Sequence, residues 1–208
     1  MATIPAELLN TITLGDAREL ARMLPDESID LLFTDPPYSE SDIELYSWLG
    51  AEAARLLKPG RYLYAYSGNI HALEVARRLS QHLDYTGMIA LLGAGGFIST
   101  WRLIGAWKPI FTFCKGRPDP KPPFRLNIFA SRPDKRYHRW GQGGAPAFKT
   151  IEMLTAPGEL VFDPFCGGGT VPSVCQSIGR NFVAFDNDPQ AVEASRARLA
   201  MADLPMFA

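Results

Sequence analysis

Glu159-Leu160-Val161-Phe162-Asp163-Pro164-Phe165-Cys166-Gly167-Gly168-Gly169-Thr170 decides the fold. The spacing predicts a brief buried strand over Glu159–Phe162, an Asp-Pro turn, three glycines, and a helix over Val171–Ile178. Glycines let a backbone come close to a ligand, and the helix start that follows favours the ligand's negative groups. A second strand, Asn181–Phe185, ends at Asp186, about twenty residues past the turn, where a carboxylate can hold both hydroxyls of a ribose. Taken alone, the glycines also fit a plain tight turn in a βαβ unit with a capping Asp. With the strand, the helix and Asp186 at this offset they predict a parallel sheet that binds an adenosine-containing ligand. Asp188-Pro189 opens a last helix that runs to about Ala202.

A second strand end lies early in the chain. The apolar run Ile29–Thr34 is short and bounded by turn residues, as a buried parallel strand would be. It leads into Asp35-Pro36-Pro37-Tyr38. The two prolines fix the backbone and carry no N–H, which leaves carbonyl acceptors, a carboxylate and an aromatic face. An amino group on a flat ring suits such a site: Asp35 and the Pro36 carbonyl accept its two hydrogens while Tyr38 stacks on the ring. A Pro-Pro turn with Asp35 capping the next helix is the plainer reading of the tetrapeptide.

Further elements follow from periodicity. Leu9–Leu14 reads as a strand closed by Gly15-Asp16, and Ala17–Leu24 as a helix stopped by Pro25. Asp42–Leu57 reads as a helix with Leu45, Leu49 and Leu56 on one face, ended by Lys58-Pro59-Gly60. Arg61–Ser67 alternates like a strand. Ile70–Leu83 reads as a helix with Leu73, Ala76, Leu79 and Leu83 on one stripe. Tyr85–Leu92 and Trp107–Cys114 read as strands joined by glycine-rich Gly93–Gly96 and a segment holding Trp101 and Arg102, and Phe148–Leu154 as a short helix. The strands ending at Asp35, Asp163 and Asp186 should share one sheet edge. The last helix calls for one more parallel strand that the chain's end does not supply, and the orphan strand before Gly15-Asp16 can fill the place. The expectation is a circularly permuted, doubly wound Rossmann-like sheet, mostly parallel, with helices on both faces.

The 208 residues suggest one domain over 1–208, and 47% hydrophobic with 21% charged residues is ordinary for a soluble globular protein. No apolar run reaches membrane-spanning length, and the N-terminus has no basic segment leading into an apolar one. An intracellular, cytoplasmic protein is expected. Cys114, Cys166 and Cys175 lack Cys-x-x-Cys spacing and there are three histidines, so neither a metal site nor a disulfide framework is expected.

Residues 115–139 change character. They hold eight Lys or Arg against two Asp, a net of +6, which leaves −7 on the remainder of a chain whose total is −1. Five prolines in the window exclude a regular helix. A basic, irregular insertion on an acidic body suits phosphate contact, with Lys121, Arg125, Arg132, Lys135, Arg136 and Arg139 as candidate nucleic-acid-binding residues. A solvated surface loop is the alternative.

In this order, the motifs resemble the permuted (β-type) group of S-adenosylmethionine-dependent DNA amino-methyltransferases, which act on adenine N6 or cytosine N4. Gly15-Asp16, Leu24–Leu31 and Thr34–Tyr38 are similar to the family's opening. Leu57–Gly60 and Lys108–Gly116 are similar to its middle strands, and Asp163–Thr170 with Asn181–Pro189 to its cofactor half. The resemblance covers most of the chain except about 93–106 and 117–137. It implies one antiparallel strand in the sheet and S-adenosyl-L-methionine as cofactor. Asp163, Phe165, Cys166, Gly167, Gly169 and Thr170 would form the loop around the cofactor's methionine part, with Cys166 as a small packing residue. Asp186 would bind the ribose and Asp16 the adenine, while Asp35, Pro36, Pro37 and Tyr38 would form the catalytic tetrad. Family members usually carry Gln-Lys-Pro before the helix preceding the glycine loop, whereas here Gln142 is followed by Gly-Gly-Ala-Pro. The family's target-recognition region is also short here, implying a short target or help from a second copy of the chain in a homodimer. Adenine N6 leads because cytosine-N4 members more often have Ser where Asp35 stands. A cofactor- or DNA-binding module without catalysis and a dinucleotide dehydrogenase are the other readings.

Overall fold

The computed structural model describes residues 3–98, 104–118, 127–130 and 144–201, leaving aside the side chains of 94–98 and 104. In chain order these form β1 (Thr11–Leu14), α1 (Ala17–Leu20), β2 (Ile29–Thr34), α2 (Glu44–Leu56), β3 (Leu57–Tyr66), α3 (Ala72–Leu79), β4 (Asp84–Ile98), β5 (Ile104–Cys114), β6 (Ile128–Ala130), α4 (Gly144–Leu154), β7 (Leu160–Asp163), α5 (Thr170–Ser177), β8 (Asn181–Asp186) and α6 (Pro189–Ala200). The strands make one sheet in the order β1-β8-β7-β2-β3-β5-β4-β6. The first strand of the chain pairs in parallel with the last, Thr11 opposite Val183 and Leu14 opposite Asp186. Asn10 fastens this closure. Its backbone N–H donates to the Phe182 carbonyl at 2.7 Å, and its side-chain oxygen accepts from the Phe182 N–H at 3.0 Å. This is the permuted, doubly wound arrangement expected.

β8–β7, β7–β2 and β2–β3 are also parallel, so β1, β8, β7, β2 and β3 end at a common edge. β5 pairs antiparallel with both β3 and β4, and β6 runs parallel to β4, making β5 the one reversed strand among the described residues. Side-chain alternation splits the sheet between two cores. Leu32, Leu63, Phe113, Phe162 and Phe185 pack with Tyr46, Leu49, Ala53 and Leu56 of α2 and with Val75 and Leu79 of α3. Leu31, Phe33, Tyr64, Val161 and Ala184 pack on the other face with Ile151, Val174 and Val192 from α4, α5 and α6. Each buried Leu, Ile, Val or Phe among these contributes roughly 1.5–3 kcal/mol of transfer free energy.

The structure corrects several expectations. The helix expected over Ala17–Leu24 is one α-turn followed by a 3-10 turn over Ala21–Met23. Tyr46 takes the place of Leu45 in the buried face of α2. In α3 the buried residues are Val75 and Leu79, four apart, and Leu73 is 86% exposed. The four-residue stripe read there counted apolar type without the register that packing selected. Gly93–Gly96 does not join two strands; it lies inside β4, at a shift of register between Leu92 and Phe97. The long β4–β5 ribbon therefore runs past the sheet edge: Tyr66 at the end of β3 is level with Ile110 and Ile89, and β4 continues to Ile98. β6 lies inside the basic window and was not expected.

Candidate active site

The glycine turn is anchored on three sides. The Cys166 N–H donates to the Phe185 carbonyl at 2.9 Å, laying the turn across the end of β8. The Gly167 N–H donates to Asp186 Oδ2 at 2.7 Å, while Asp186 Oδ1 accepts from the Asp188 N–H at 2.9 Å. Gly169 caps α5 with φ 70°, and a Cβ there would lie 2.7 Å from the Cβ of Ser195 on α6. Only glycine satisfies both the left-handed backbone and the close helix. From α6 the buried Arg198 reaches back, Nη1 donating to the Gly168 carbonyl at 3.2 Å and to Thr170 Oγ1 at 3.1 Å.

Asp163 joins this turn to the other strand end. Its Oδ1 accepts from Thr34 Oγ1 at 2.7 Å and from the Phe165 N–H at 3.2 Å. Thr34 immediately precedes Asp35, so one buried carboxylate couples the two motifs the sequence pointed to. Phe165 in turn packs edge-on against Trp48 of α2, with ring centroids 6.0 Å apart. Burial pushes the Asp163 carboxyl up to about 7, against the opposing hydrogen bond from Thr34. Between about pH 4 and 7 the folded protein therefore holds more protons than the unfolded chain, and this contribution to stability is lost as pH rises through 7. Asp163→Asn, which keeps an acceptor oxygen for Thr34, should remove that slope, on the order of 1.4 kcal/mol for each pH unit inside the window. Urea midpoints at pH 4.5 and 8 check this; a difference between variant and wild type that is the same at both pH values would count against it.

Asp16 lies at the next strand end. The Gly15 N–H donates to the Asp186 carbonyl at 2.9 Å, and Asp16 caps α1, accepting from the Arg18 N–H at 2.8 Å. Its ion pair with Arg18, at 2.6 Å, sits on the rim, and the hydrogen bond from the Arg18 side chain holds the Asp16 carboxyl below its usual range. Cys166 is buried in the second core, and burial raises its thiol far above the usual range.

Across the edge, Pro36 is buried, Asp35 and Tyr38 are half-buried and Pro37 is exposed. The Tyr38 ring lies over Gly68, where a Cβ would come to 3.4 Å from its Cδ2. Burial, with the neighbouring Asp35 charge, raises the pKa of the Tyr38 phenol beyond its normal range. Lys108 of β5 donates from Nζ to the Tyr38 hydroxyl. The structure thus brings Asp16, Asp35, Pro36, Tyr38, Asp163, Phe165, Gly167, Gly169, Thr170 and Asp186 to one edge. Lys121, Arg125, Arg132, Lys135, Arg136 and Arg139, like Gln142, lie outside the described residues. Thr34, Lys108, Trp48 and Arg198 are participants that sequence reasoning did not assign. Thr34 carried a signal in its place beside Asp35, whereas Arg198 carried none.

The N6/N4 DNA methylase family profile matches residues 144–197, from α4 through the glycine turn into α6. The chain is 23% identical over 250 aligned positions to the type II methyltransferase M.HinfI of Haemophilus influenzae, covering 93% of this chain and 69% of that protein. Among solved structures, it is similar to TTHA0409 of Thermus thermophilus complexed with S-adenosyl-L-methionine, at TM-score 0.75 and 22% identity, covering 95% of this chain and 97% of that one. It is also similar to the PvuII DNA methyltransferase (cytosine-N4-specific), at TM-score 0.81 and 20% identity, covering 95% and 87%.

Proposed function

We propose, from the premise that this chain belongs to the permuted S-adenosylmethionine-dependent DNA amino-methyltransferase family, that it methylates the exocyclic N6 amine of an adenine flipped out of DNA. The observation that supports this best is the Thr34–Asp163 hydrogen bond, which links the Asp35–Tyr38 turn to the glycine turn at one edge. The cofactor is S-adenosyl-L-methionine, and the residues present fit it. Asp186 offers oxygen acceptors beside the Gly167 amide, as a ribose diol requires. Asp16 and Asp35 add carboxylates around a ligand that carries positive charge. When bound, the cofactor supplies an activated methyl group on a sulfonium.

The protein's share is alignment. An exocyclic amine's lone pair is delocalised into the ring and is a poor nucleophile. Asp35 and the Pro36 carbonyl accept its two N–H groups, so the nitrogen rehybridises and turns its lone pair toward the methyl. Orientation of this kind contributes on the order of 7–11 kcal/mol in favourable systems. Extruding the base costs a few kcal/mol, and stacking on Tyr38 returns roughly 1–3 kcal/mol by analogy with single-strand platforms. Asp35 in place of the Ser more frequent in cytosine-N4 members favours adenine; cytosine N4 is the second reading, and the PvuII enzyme shares the fold. Incubation with S-adenosylmethionine and plasmid DNA from a methylation-deficient host, followed by nucleoside mass spectrometry, decides between N6-methyladenine and N4-methylcytosine. Absence of both would overturn the proposal.

The basic window is the proposed grip on DNA. Lys115 is excluded from it, since its Nζ pairs with Glu27 at 3.0 Å and donates to the Leu57 carbonyl at 2.9 Å. β6 runs parallel to β4, so its last residue, Ala130, lies at the end of β6 nearer the ligand edge. Phosphate contacts release counterions, so log affinity should fall against log salt with a slope of roughly −0.9 per neutralised phosphate. Replacing Arg132, Lys135 and Arg136 together with alanine should weaken DNA binding and flatten that slope while cofactor affinity stays the same. An unchanged slope would move the DNA path to the β4–β5 ribbon.

A further inference from the structure

We propose that Lys108 is a positioning residue of this site, fixing the ring of Tyr38 and, through the Tyr38 hydroxyl, the Asp35 carboxylate. The inference deepens the methyl-transfer reading and rests on it. It starts from the one reversed strand. β1, β8, β7, β2 and β3 all end at the ligand edge, where they present loops. β5 arrives there in mid-strand, so Lys108 is held by sheet hydrogen bonding opposite Leu91. Both its chain neighbours are tied to the segment leaving β3. The Pro109 carbonyl accepts from the Ser67 N–H at 3.0 Å, and the Trp107 carbonyl accepts from Asn69 Nδ2 at 2.7 Å.

That same segment carries Gly68, which underlies the Tyr38 ring. The ring therefore lies against Gly68 and meets the Lys108 ammonium, whose Nζ bonds its hydroxyl and lies over the ring at 4.8 Å from the centroid. An ammonium donates and cannot accept. Its bond to the Tyr38 oxygen therefore leaves the hydroxyl hydrogen available to the neighbouring Asp35 carboxylate. The observed step runs from Nζ–H to the hydroxyl oxygen, and the proposed second step runs from O–H to the carboxylate. Together they hold a base-stacking face and an amine acceptor in fixed relation before any substrate arrives.

The test is a double-mutant cycle on the full chain with Lys108→Met, Tyr38→Phe and the pair, plus Lys108→Arg. Two readouts are taken: urea unfolding without DNA, and transfer of tritiated methyl from S-adenosylmethionine to plasmid DNA from a methylation-deficient host. Lys108→Met is expected to lower kcat by roughly 10–100-fold, the scale of a misplaced reacting group, with a much smaller change in KM for DNA and none in cofactor affinity by calorimetry. The double variant should be no worse than the more damaging single, in kcat and in unfolding midpoint alike, because both substitutions break the same contact. Lys108→Arg should recover most of the loss. Additive effects in both readouts overturn the proposal. So does a Lys108→Met variant with unchanged kcat and a salt-dependent rise in KM, which would mark Lys108 as a phosphate contact. If wild-type protein transfers no methyl to DNA, the function proposed above fails, while the unfolding cycle still decides whether Lys108 holds Tyr38.

Discussion

Asp35→Ala should fold, bind S-adenosylmethionine within a few-fold of wild type and lose methyl transfer by on the order of 10²–10³ or more, the scale seen when one preorganised partner of a transition state is removed. Asp35 follows β2 directly, outside the strand, and the hydrogen bond that couples the motifs belongs to its neighbour Thr34. Removing the Asp35 carboxylate therefore leaves Asp163, the glycine turn and Asp186 in place. It also leaves the Tyr38 hydroxyl held by Lys108. What is lost is the acceptor for one amine hydrogen, an interaction realised mainly as the nitrogen rehybridises, so kcat should fall more than KM rises. Single-turnover transfer from labelled cofactor, with calorimetry of cofactor binding on the same preparation, separates the two quantities. Transfer at near wild-type rate would reduce Asp35 to a turn residue and remove the basis of the mechanism.

The permuted order was legible because its signals are local: a strand, a glycine turn and Asp186 at the right offset, Asp35-Pro36-Pro37-Tyr38 after an apolar run, and a strand too many at the N-terminus. Where the sequence misled, long-range packing had made the choice. The Ile70–Leu83 segment offers two apolar stripes, and only contact with α2 selects Val75 and Leu79 over Leu73. Gly93–Gly96 has the composition of a connection, yet pairing with β5 resumes beyond it, Phe97 opposite Gly105 and Ile98 opposite Ile104, which makes it part of β4. The site follows the same division. Each carboxylate was visible at its strand end, whereas Lys108 reaches Tyr38 across seventy residues of chain. It does so only because β5 runs backwards beside β3, and no local pattern encodes that neighbour relation.

Asp186→Ala should be the more damaging change for cofactor affinity, and Asp186→Asn should not rescue it. In the folded protein the carboxylate oxygens each accept a backbone N–H, Oδ2 from Gly167 and Oδ1 from Asp188, and each keeps a further lone pair for a ribose hydroxyl. Hydrogen bonds to a charged group are worth about 1.5–3 kcal/mol each, so losing two from the diol corresponds to roughly 10²–10⁴ in Kd at about 1.4 kcal/mol per tenfold. Alanine also frees the Gly167 amide, and Gly167, at φ 48°, depends on that bond to hold the turn open. Asparagine supplies one acceptor oxygen, while its amino group would face either the Gly167 or the Asp188 N–H, donor against donor. One arm of the turn would then be pushed away, and the expected loss is close to that of alanine. Calorimetric titration with S-adenosylmethionine, alongside thermal melts to verify folding, gives the outcome directly. An Asp186→Ala variant that is folded and binds the cofactor as wild type would place the ribose elsewhere on the edge, with Asp16 as the next carboxylate to examine.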